Sequence, residues 1–305
     1  MKILVTGGAG FIGSHVVDAY VAAGHEVHVL DDLSSGARAN VNAKATLHVA
    51  DLRDPKVADL VRSLAPQVIN HHAAQVSVSV SVREPAADAS VNVLGLLHLL
   101  QGVQPGSLQR FVFASSGGTV YGEPSTLPAT EALPFDPRTP YGIAKATSEW
   151  YLRFAAERLG FVPVCLRYAN VYGPRQSPHG EAGVVAIFSL RLQKGQPCTI
   201  FGDGQHVRDY VYVGDVARAS VRALEVAEPL AVNIATGVGT TTNDLYARLA
   251  RAAGVSTPAA YAPERPGDLR ASILDPTLAG RRLGWVPTVT LDRGLEATYA
   301  SFTHA

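Results

Sequence analysis

The sequence predicts an α/β protein: a doubly wound parallel sheet with a smaller C-terminal lobe. Three observations carry this expectation. Short apolar runs alternate with amphipathic segments through the first half of the chain. The first run leads straight into closely spaced glycines and then a helical pattern. After Tyr168 the texture changes, and Pro and Gly become frequent in YGPRQSPHG, GDGQHVRD and APERPGD.

Lys2–Thr6 (KILVT) is short and almost wholly apolar, as a strand buried on both faces requires. The stretch 14–23 is amphipathic, and Gly24 closes it as a helix cap. The next strand covers 26–30 and ends at Asp31 and Asp32. Further strands are expected at 46–50, 67–71, 110–114 and 162–167, separated by helices at 55–64, 86–102 and 141–159. This alternation is the Rossmann-type pattern, and it assigns residues 1–168 to a dinucleotide-binding domain. Residues 169–305 form the smaller lobe, with helices at 183–194, 213–227 and 242–253 and some elements returning to the sheet.

Composition narrows the class. The chain has 305 residues, 47% hydrophobic and 17% charged, an ordinary globular balance. Lys+Arg and Asp+Glu both number 26, so no basic excess points to a nucleic-acid partner. Cys165 and Cys198 show neither CxxC nor Cys/His spacing and read as reduced, buried thiols with no metal to hold. The opening MKILVTGG is a strand and turn rather than a signal peptide, and no apolar run has the length of a membrane span. A soluble, cytoplasmic protein is expected.

Gly7, Gly10 and Gly13 form G-x-x-G-x-x-G between a strand and a helix. Pyrophosphate binding needs a tight turn, close backbone approach and a helix seated tightly on its strand. The free N–H groups and partial positive charge of the helix start then face the anion. Asp31, about twenty residues further on, is placed to accept the ribose hydroxyls. A carboxylate there repels a 2′-phosphate, so NAD is expected rather than NADP, and Asp32 adds negative charge nearby. Asp51 and Leu52 suit an adenine ring, one for the amino group and one for the apolar face.

Tyr141 and Lys145 stand four apart in YGIAK, on one face of a helix. An ammonium beside a phenol favours the phenolate and lowers the tyrosine pKa toward working pH. Such a tyrosine takes a proton from a sugar hydroxyl while NAD takes the hydride. Its position after a dinucleotide fold and the strand-end SSGGTVYG favours catalysis over a surface helix pair.

TGGAGFIG, DDLSSG, HHAAQ, SSGGTVYG, YGIAK, LRYANVYGPRQ and VRDYVYVGDVA together resemble the extended short-chain dehydrogenase/reductases. Within them, the bacterial UDP-glucose 4-epimerases are the most similar, from Lys2 to about Trp285. The resemblance implies NAD-dependent epimerisation at C4 of UDP-galactose and UDP-glucose, an isomerase of galactose metabolism. It makes Tyr141 the base and Lys145 the residue that holds the nicotinamide ribose. It extends the cofactor contacts to Phe11, Ile12, Ser35, Gly36, Ala73, Ala74, Asn92 and Tyr168. It places Asn170 and Arg208 on the diphosphate, Phe201 beside the uracil, and Arg265 and Asp268 on the diphosphate and uridine ribose. Arg suits forked phosphate contacts and Asp suits ribose hydroxyls. The family is commonly dimeric through two helices, for which 91–101 and 147–158 are apolar enough. The alternative is that those faces lie on the sheet.

Two positions depart from the family pattern. A Ser or Thr usually stands four residues before the Tyr of VYG, and here that residue is Gly117. Counting back from Tyr141 lands on Ser116 instead, and an extra glycine in a bulged backbone reconciles the counts. Ser116 is the expected hydroxyl, with Ser115, Thr119 or a water as alternatives. The second departure is Ser272, where the family has a bulky Tyr four residues after the Asp of its GD motif. A small residue there goes with acceptance of UDP-GlcNAc and UDP-GalNAc.

Three rival readings remain. A 4,6-dehydratase wants an Asp-Glu pair after the catalytic Thr, where this chain has Gly118 and Thr119. A UDP-glucuronate epimerase or decarboxylase differs in C6 recognition, which the sequence does not display. A non-catalytic NAD-sensing scaffold has no need of Tyr141 and Lys145.

Overall fold

The computed structural model describes residues 1–178, 183–264 and 269–303. Six strands follow the expected order: β1 (Lys2–Thr6), β2 (Glu26–Asp31), β3 (Thr46–Val49), β4 (Val68–His71), β5 (Arg110–Ser116) and β6 (Val162–Tyr168). The chain then leaves for β7 (Asn170–Tyr172), β8 (Thr199–Phe201) and β9 (Val207–Tyr212), and returns as β10 (Leu230–Ile234). β10 pairs in parallel with β6, giving one seven-stranded parallel sheet of order β10-β6-β5-β4-β1-β2-β3. The order reverses direction on either side of β1 and β4, so a crevice opens at their C-terminal ends.

Alternation along the strands builds two cores. Ile3, Val5, Val27 and Val29 face α1 (Phe11–Ala22). Leu4, Leu30, Ile69, Phe111 and Phe113 point the other way, where α2 (Val57–Leu64) covers them. Next come α3 (Val78–Arg83), α4 (Pro85–Ala89), a π-helical turn at Ser90–Leu94 and α5 (Gly95–Gly102). After β5 the chain forms the single turn α6 (Gly117–Val120) and the long α7 (Pro140–Leu159), whose Leu152 joins the second core. Each large side chain buried here stabilises the fold by about 1.5–3 kcal/mol.

A third core lies around β9, between α8 (Val184–Gln193), α10 (Thr242–Ala252) and α12 (Leu291–Thr303). Between them, α9 (Val213–Arg222) packs on α1 on the first core. β9 is also the centre of a small sheet with β11 (Gly239–Thr241), β13 (Ala271–Ser272) and β7, while β12 (Ala260–Ala262) pairs with β8. α11 (Thr277–Leu283) precedes Trp285, whose indole donates to the Asp215 carbonyl at 2.8 Å. Among the described residues, no helix is long and apolar enough to cross a membrane.

The structure corrects one expectation, refines a second and adds an element that the periodicity did not show. The first helix begins at Phe11, not residue 14, because Gly10 serves as its N-cap. The helix expected over 86–102 is present, helical without interruption from Pro85 to Gly102, and its middle turn at Ser90–Leu94 widens to a π turn that holds Asn92 in the interior. α3 escapes the periodicity because Val and Ser alternate through 76–82; Ser77 starts it by accepting the Val80 N–H.

Candidate active site

The glycine turn closes on itself. Gly7 has φ +69°, a left-handed backbone, and a β-carbon there would lie 2.5 Å from the Ala73 nitrogen. A β-carbon on Gly13 would collide with the Gly7 carbonyl. Gly10 caps α1 with no side-chain hydrogen bond, and the first turn, which holds Phe11, Ile12 and Gly13, carries no acidic residue. The positive end of the helix is therefore uncompensated by side chains, a cradle for an anion.

Asp31 ends β2 beside this turn and is buried. Its Oδ2 accepts the Ala9 N–H at 2.9 Å and its Oδ1 the Leu33 N–H at 2.9 Å. A carboxylate has about four acceptor sites, so lone pairs remain for a ribose diol. Asp32 is exposed and accepts from Ser34. Ser35 and Gly36 run alongside: a β-carbon on Gly36 would lie 2.9 Å from the Ala9 carbonyl carbon. Asp51 is held by the forked guanidinium of Arg53, which keeps its carboxyl below the usual range. Leu52 is buried and touches the site of Gly95. These residues fit a dinucleotide: a turn only glycine allows, an open helix start and a buried acid.

At the other end of the crevice, α7 faces the end of β5. Tyr141, Lys145 and Glu149 recur every four residues on one face, and each is tied to a neighbouring β5 residue. The Ser116 hydroxyl faces the Tyr141 phenol and favours its phenolate. Lys145 Nζ donates to the Ala114 carbonyl at 2.9 Å. Ser115 Oγ donates to Glu149 Oε1 at 2.6 Å. The two alternative hydroxyls are thus engaged elsewhere, Ser115 on Glu149 and Thr119 on the Ser116 carbonyl. The expected bulge is absent, since β5 and β6 pair in unbroken register to Ser116 and Gly117 opens α6. A β-carbon on Gly117 would lie 2.3 Å from Leu274 Cδ1, so a side chain there would force Leu274 to shift.

The electrostatics differ from the sequence expectation. Burial, reinforced by Asp88, pushes Tyr141 up to about 12 rather than down, and only the Ser116 hydroxyl opposes this. Desolvation lowers Lys145 to about 8, against the pull of Asp88 and Glu149. Lys145 lies 5.7 Å from the Tyr141 ring centroid.

Ala73 receives its backbone position from Thr6, whose Oγ1 accepts the Ala73 N–H at 3.2 Å, and Ala74 follows on the same partly buried segment. Asn92 is buried in the π turn, its Oδ1 accepting the Gln75 N–H at 3.0 Å. Tyr168 ends β6 with its phenol 3.1 Å from His72 Nε2, stacked on that ring. The small sheet gathers part of the remaining set. Arg208 lies opposite Ser272, and Asn170 pairs with Tyr210 two residues along β9. Phe201 ends β8, 37% exposed. A β-carbon on Gly118 would sit 3.8 Å from Ser272 Oγ, which places Ser272 against the end of the catalytic strand. Arg265 and Asp268 lie outside the described residues.

Sequence reading missed the buried polar groups behind the pair. Arg167 forms a forked ion pair with Glu149, at 2.7 Å from Nη2 to Oε2, and donates to the Tyr121 hydroxyl. Asp88 accepts from Asn92 and Gln75. Both carboxylates stood in view by spacing: Glu149 four after Lys145, Asp88 four before Asn92.

A seven-stranded parallel sheet, a glycine turn at its switch point and a Tyr-x-x-x-Lys helix define a dinucleotide-dependent enzyme of the short-chain dehydrogenase/reductase class. Residues 3–235 match the "NAD dependent epimerase/dehydratase family", and the chain belongs to that family. It is 44% identical over 308 residues to a UDP-glucose 4-epimerase of Mycolicibacterium smegmatis, covering 99% of this chain and 98% of that one. It is similar in structure to the UDP-glucose 4-epimerase of Thermotoga maritima solved with UDP-glucose, with a TM-score of 0.96, 48% identity and 100% and 99% of the two chains covered. A UDP-N-acetylglucosamine 4-epimerase from Methanobrevibacter ruminantium M1, solved with UDP-N-acetylmuramic acid, superposes with a TM-score of 0.94 at 32% identity, over 99% and 98% of the chains.

Proposed function

We propose that this protein is an NAD-dependent UDP-hexose 4-epimerase, interconverting UDP-galactose and UDP-glucose through a 4-keto sugar. The observation that carries the reading is the Tyr141–Lys145 pair on the end of β5, with Nζ of the buried Lys145 on the Ala114 carbonyl and 5.7 Å from the Tyr141 ring centroid. Gly7, Gly10, Gly13 and the first turn of α1 hold the pyrophosphate, and Asp31 the adenosine ribose. Asp51 and Leu52 border the adenine. Bound NAD supplies the hydride acceptor and, while oxidised, a positive charge in the site that favours a phenolate.

Tyr141 is the base. It takes the C4 hydroxyl proton as the C4 hydride leaves, and returns the proton when hydride comes back to the opposite face. Ser116 hydrogen-bonds the phenolic oxygen and lines up the hydroxyl that reacts. Lys145 binds the nicotinamide ribose and stabilises the phenolate by its charge. Asn170, Arg208, Phe201, Arg265 and Asp268 grip the UDP, leaving the keto sugar free to turn. The small Ser272 against Gly118 leaves room for an N-acetyl group, so UDP-GalNAc and UDP-GlcNAc are substrates too.

The active form in this reading is a cytoplasmic homodimer. Ile143, Trp150 and Phe154 are each more than half exposed and fall in one stripe of α7, the kind of apolar face that a second copy covers. The deciding experiment is incubation of the purified protein with UDP-galactose, with products identified by NMR. UDP-glucose is expected. Loss of water instead means a dehydratase, and no turnover removes the enzyme reading.

A further inference from the structure

Asp88 is 1% exposed on α4. Its Oδ1 accepts from Asn92 Nδ2 at 2.9 Å and from Gln75 Nε2 at 2.8 Å, both neutral amides. Among the described residues its Oδ2 is buried without a hydrogen-bond partner. A buried carboxylate with no cation is strongly unfavourable. Some positive charge must therefore act on it across the site.

Two cations are buried behind the crevice. Arg167 is already matched, since its fork closes on Glu149 at 3.0 and 2.7 Å and both side chains are less than 10% exposed. Lys145 is different. Its Nζ donates to a neutral carbonyl, that of Ala114, and lies 4.8 Å from the Phe113 ring centroid. One buried cation and one buried anion are left on adjoining helices. α4 packs on α7, and Ser148 Oγ of α7 donates to the Asn92 carbonyl at 3.1 Å, tying the π turn to the same helix.

We propose that Asp88, held in place by Asn92 and Gln75, is the counter-charge of Lys145 and a positioning residue for the Tyr141–Lys145 pair. The other groups around Lys145 do not fill that role. Glu149 on α7 also pulls on Lys145, but its carboxylate is closed in the fork of Arg167, whereas Asp88 has no cation of its own. His71 at the end of β4 and His72 just after it are kept neutral by burial. Arg83 on α3, the cation closest to Asp88 in sequence, is at the surface with Glu84. The negative field of Asp88 raises the pKa of both Lys145 and Tyr141, as one carboxylate facing both requires.

The roles of Tyr141 and Lys145 rest on the epimerase reading, and the test separates the two. Asp88→Asn is isosteric and keeps the Oδ1 acceptor. Removing the charge lowers the pKa of both residues, so both limbs of the kcat/KM–pH profile move to lower pH by on the order of one unit. A purely structural role would reduce the amplitude or the melting temperature and leave both limbs in place; unmoved limbs in a folded variant overturn the proposal. Asp88→Ser serves the same purpose should the Asn variant fold poorly. If the native enzyme does not turn over UDP-galactose, the epimerase reading falls but the counter-charge is still measurable. The Lys145 13Cε resonance then titrates about one pH unit lower in Asp88→Asn, and an unchanged midpoint rejects the proposal.

Discussion

Leu274 occupies the space that a side chain on Gly117 would need. The hydroxyl expected there is absent, and Ser116, one residue back at the end of β5, is the hydroxyl that faces Tyr141. Gly117→Ala should destabilise the fold by about 1–3 kcal/mol through overpacking, read as a lower melting temperature. Gly118→Ala, whose β-carbon would meet only Ser272 Oγ at 3.8 Å, should melt like the native protein. Equal losses at the two positions would count against Leu274 as the cause.

Tyr141→Phe should lower kcat by ~10²–10⁴-fold, the range for a missing acid–base group. Ser116→Ala should cost about tenfold, the worth of one hydrogen bond. Both should still bind NAD, followed by isothermal titration. A Ser115→Ala variant that loses more activity than Ser116→Ala would show that the wrong serine has been chosen.

Ser272→Tyr should suppress turnover of UDP-GalNAc and UDP-GlcNAc while sparing UDP-galactose and UDP-glucose. The reason is steric, because the ring would project toward Gly118 at the end of β5. Parallel kcat/KM measurements on the two sugar pairs decide it, and a uniform loss speaks for general damage to the pocket.

Lys145 titrates near 8 instead of 10.5 because burial disfavours its ammonium. The charged form is present below that pH, so with bound NAD holding Tyr141 as the phenolate, kcat/KM should fall as pH rises through about 8. The contribution of this group to stability has the opposite sign. Its folded pKa lies below its unfolded one, so the unfolded chain binds more protons between about 8 and 10.5. Stability from this group therefore increases with pH across that window. Activity and melting temperature measured over the same buffers should diverge there.

Trp150→Glu, on the exposed stripe of α7 with Ile143 and Phe154, should convert a dimer to a monomer in sedimentation velocity. The melting temperature of dilute protein should change little, since the residue is 61% exposed within one chain. A native protein that sediments as a monomer would remove this interface.

The local chemistry was legible in the sequence because it depends on neighbours in the chain. A glycine turn between strand and helix, an acid at the end of β2, and a Tyr and Lys four apart are short-range patterns, and β1 to β6 follow from the same periodicity. What the sequence could not display is which groups face each other across the fold. Ser115, Ser116 and Thr119 are equivalent candidates on paper. Only the packing of α7 on β5 gives Ser115 to Glu149 and Ser116 to Tyr141. Periodicity likewise says nothing of Leu274, more than 150 positions from Gly117 yet filling its side-chain space. The Tyr141 pKa turned on the same distinction. Spacing alone suggests that Lys145 lowers it, but desolvation and Asp88 are properties of the assembled interior. Short-range geometry is written into residue order; burial and long-range charge exist only once the elements have closed on one another.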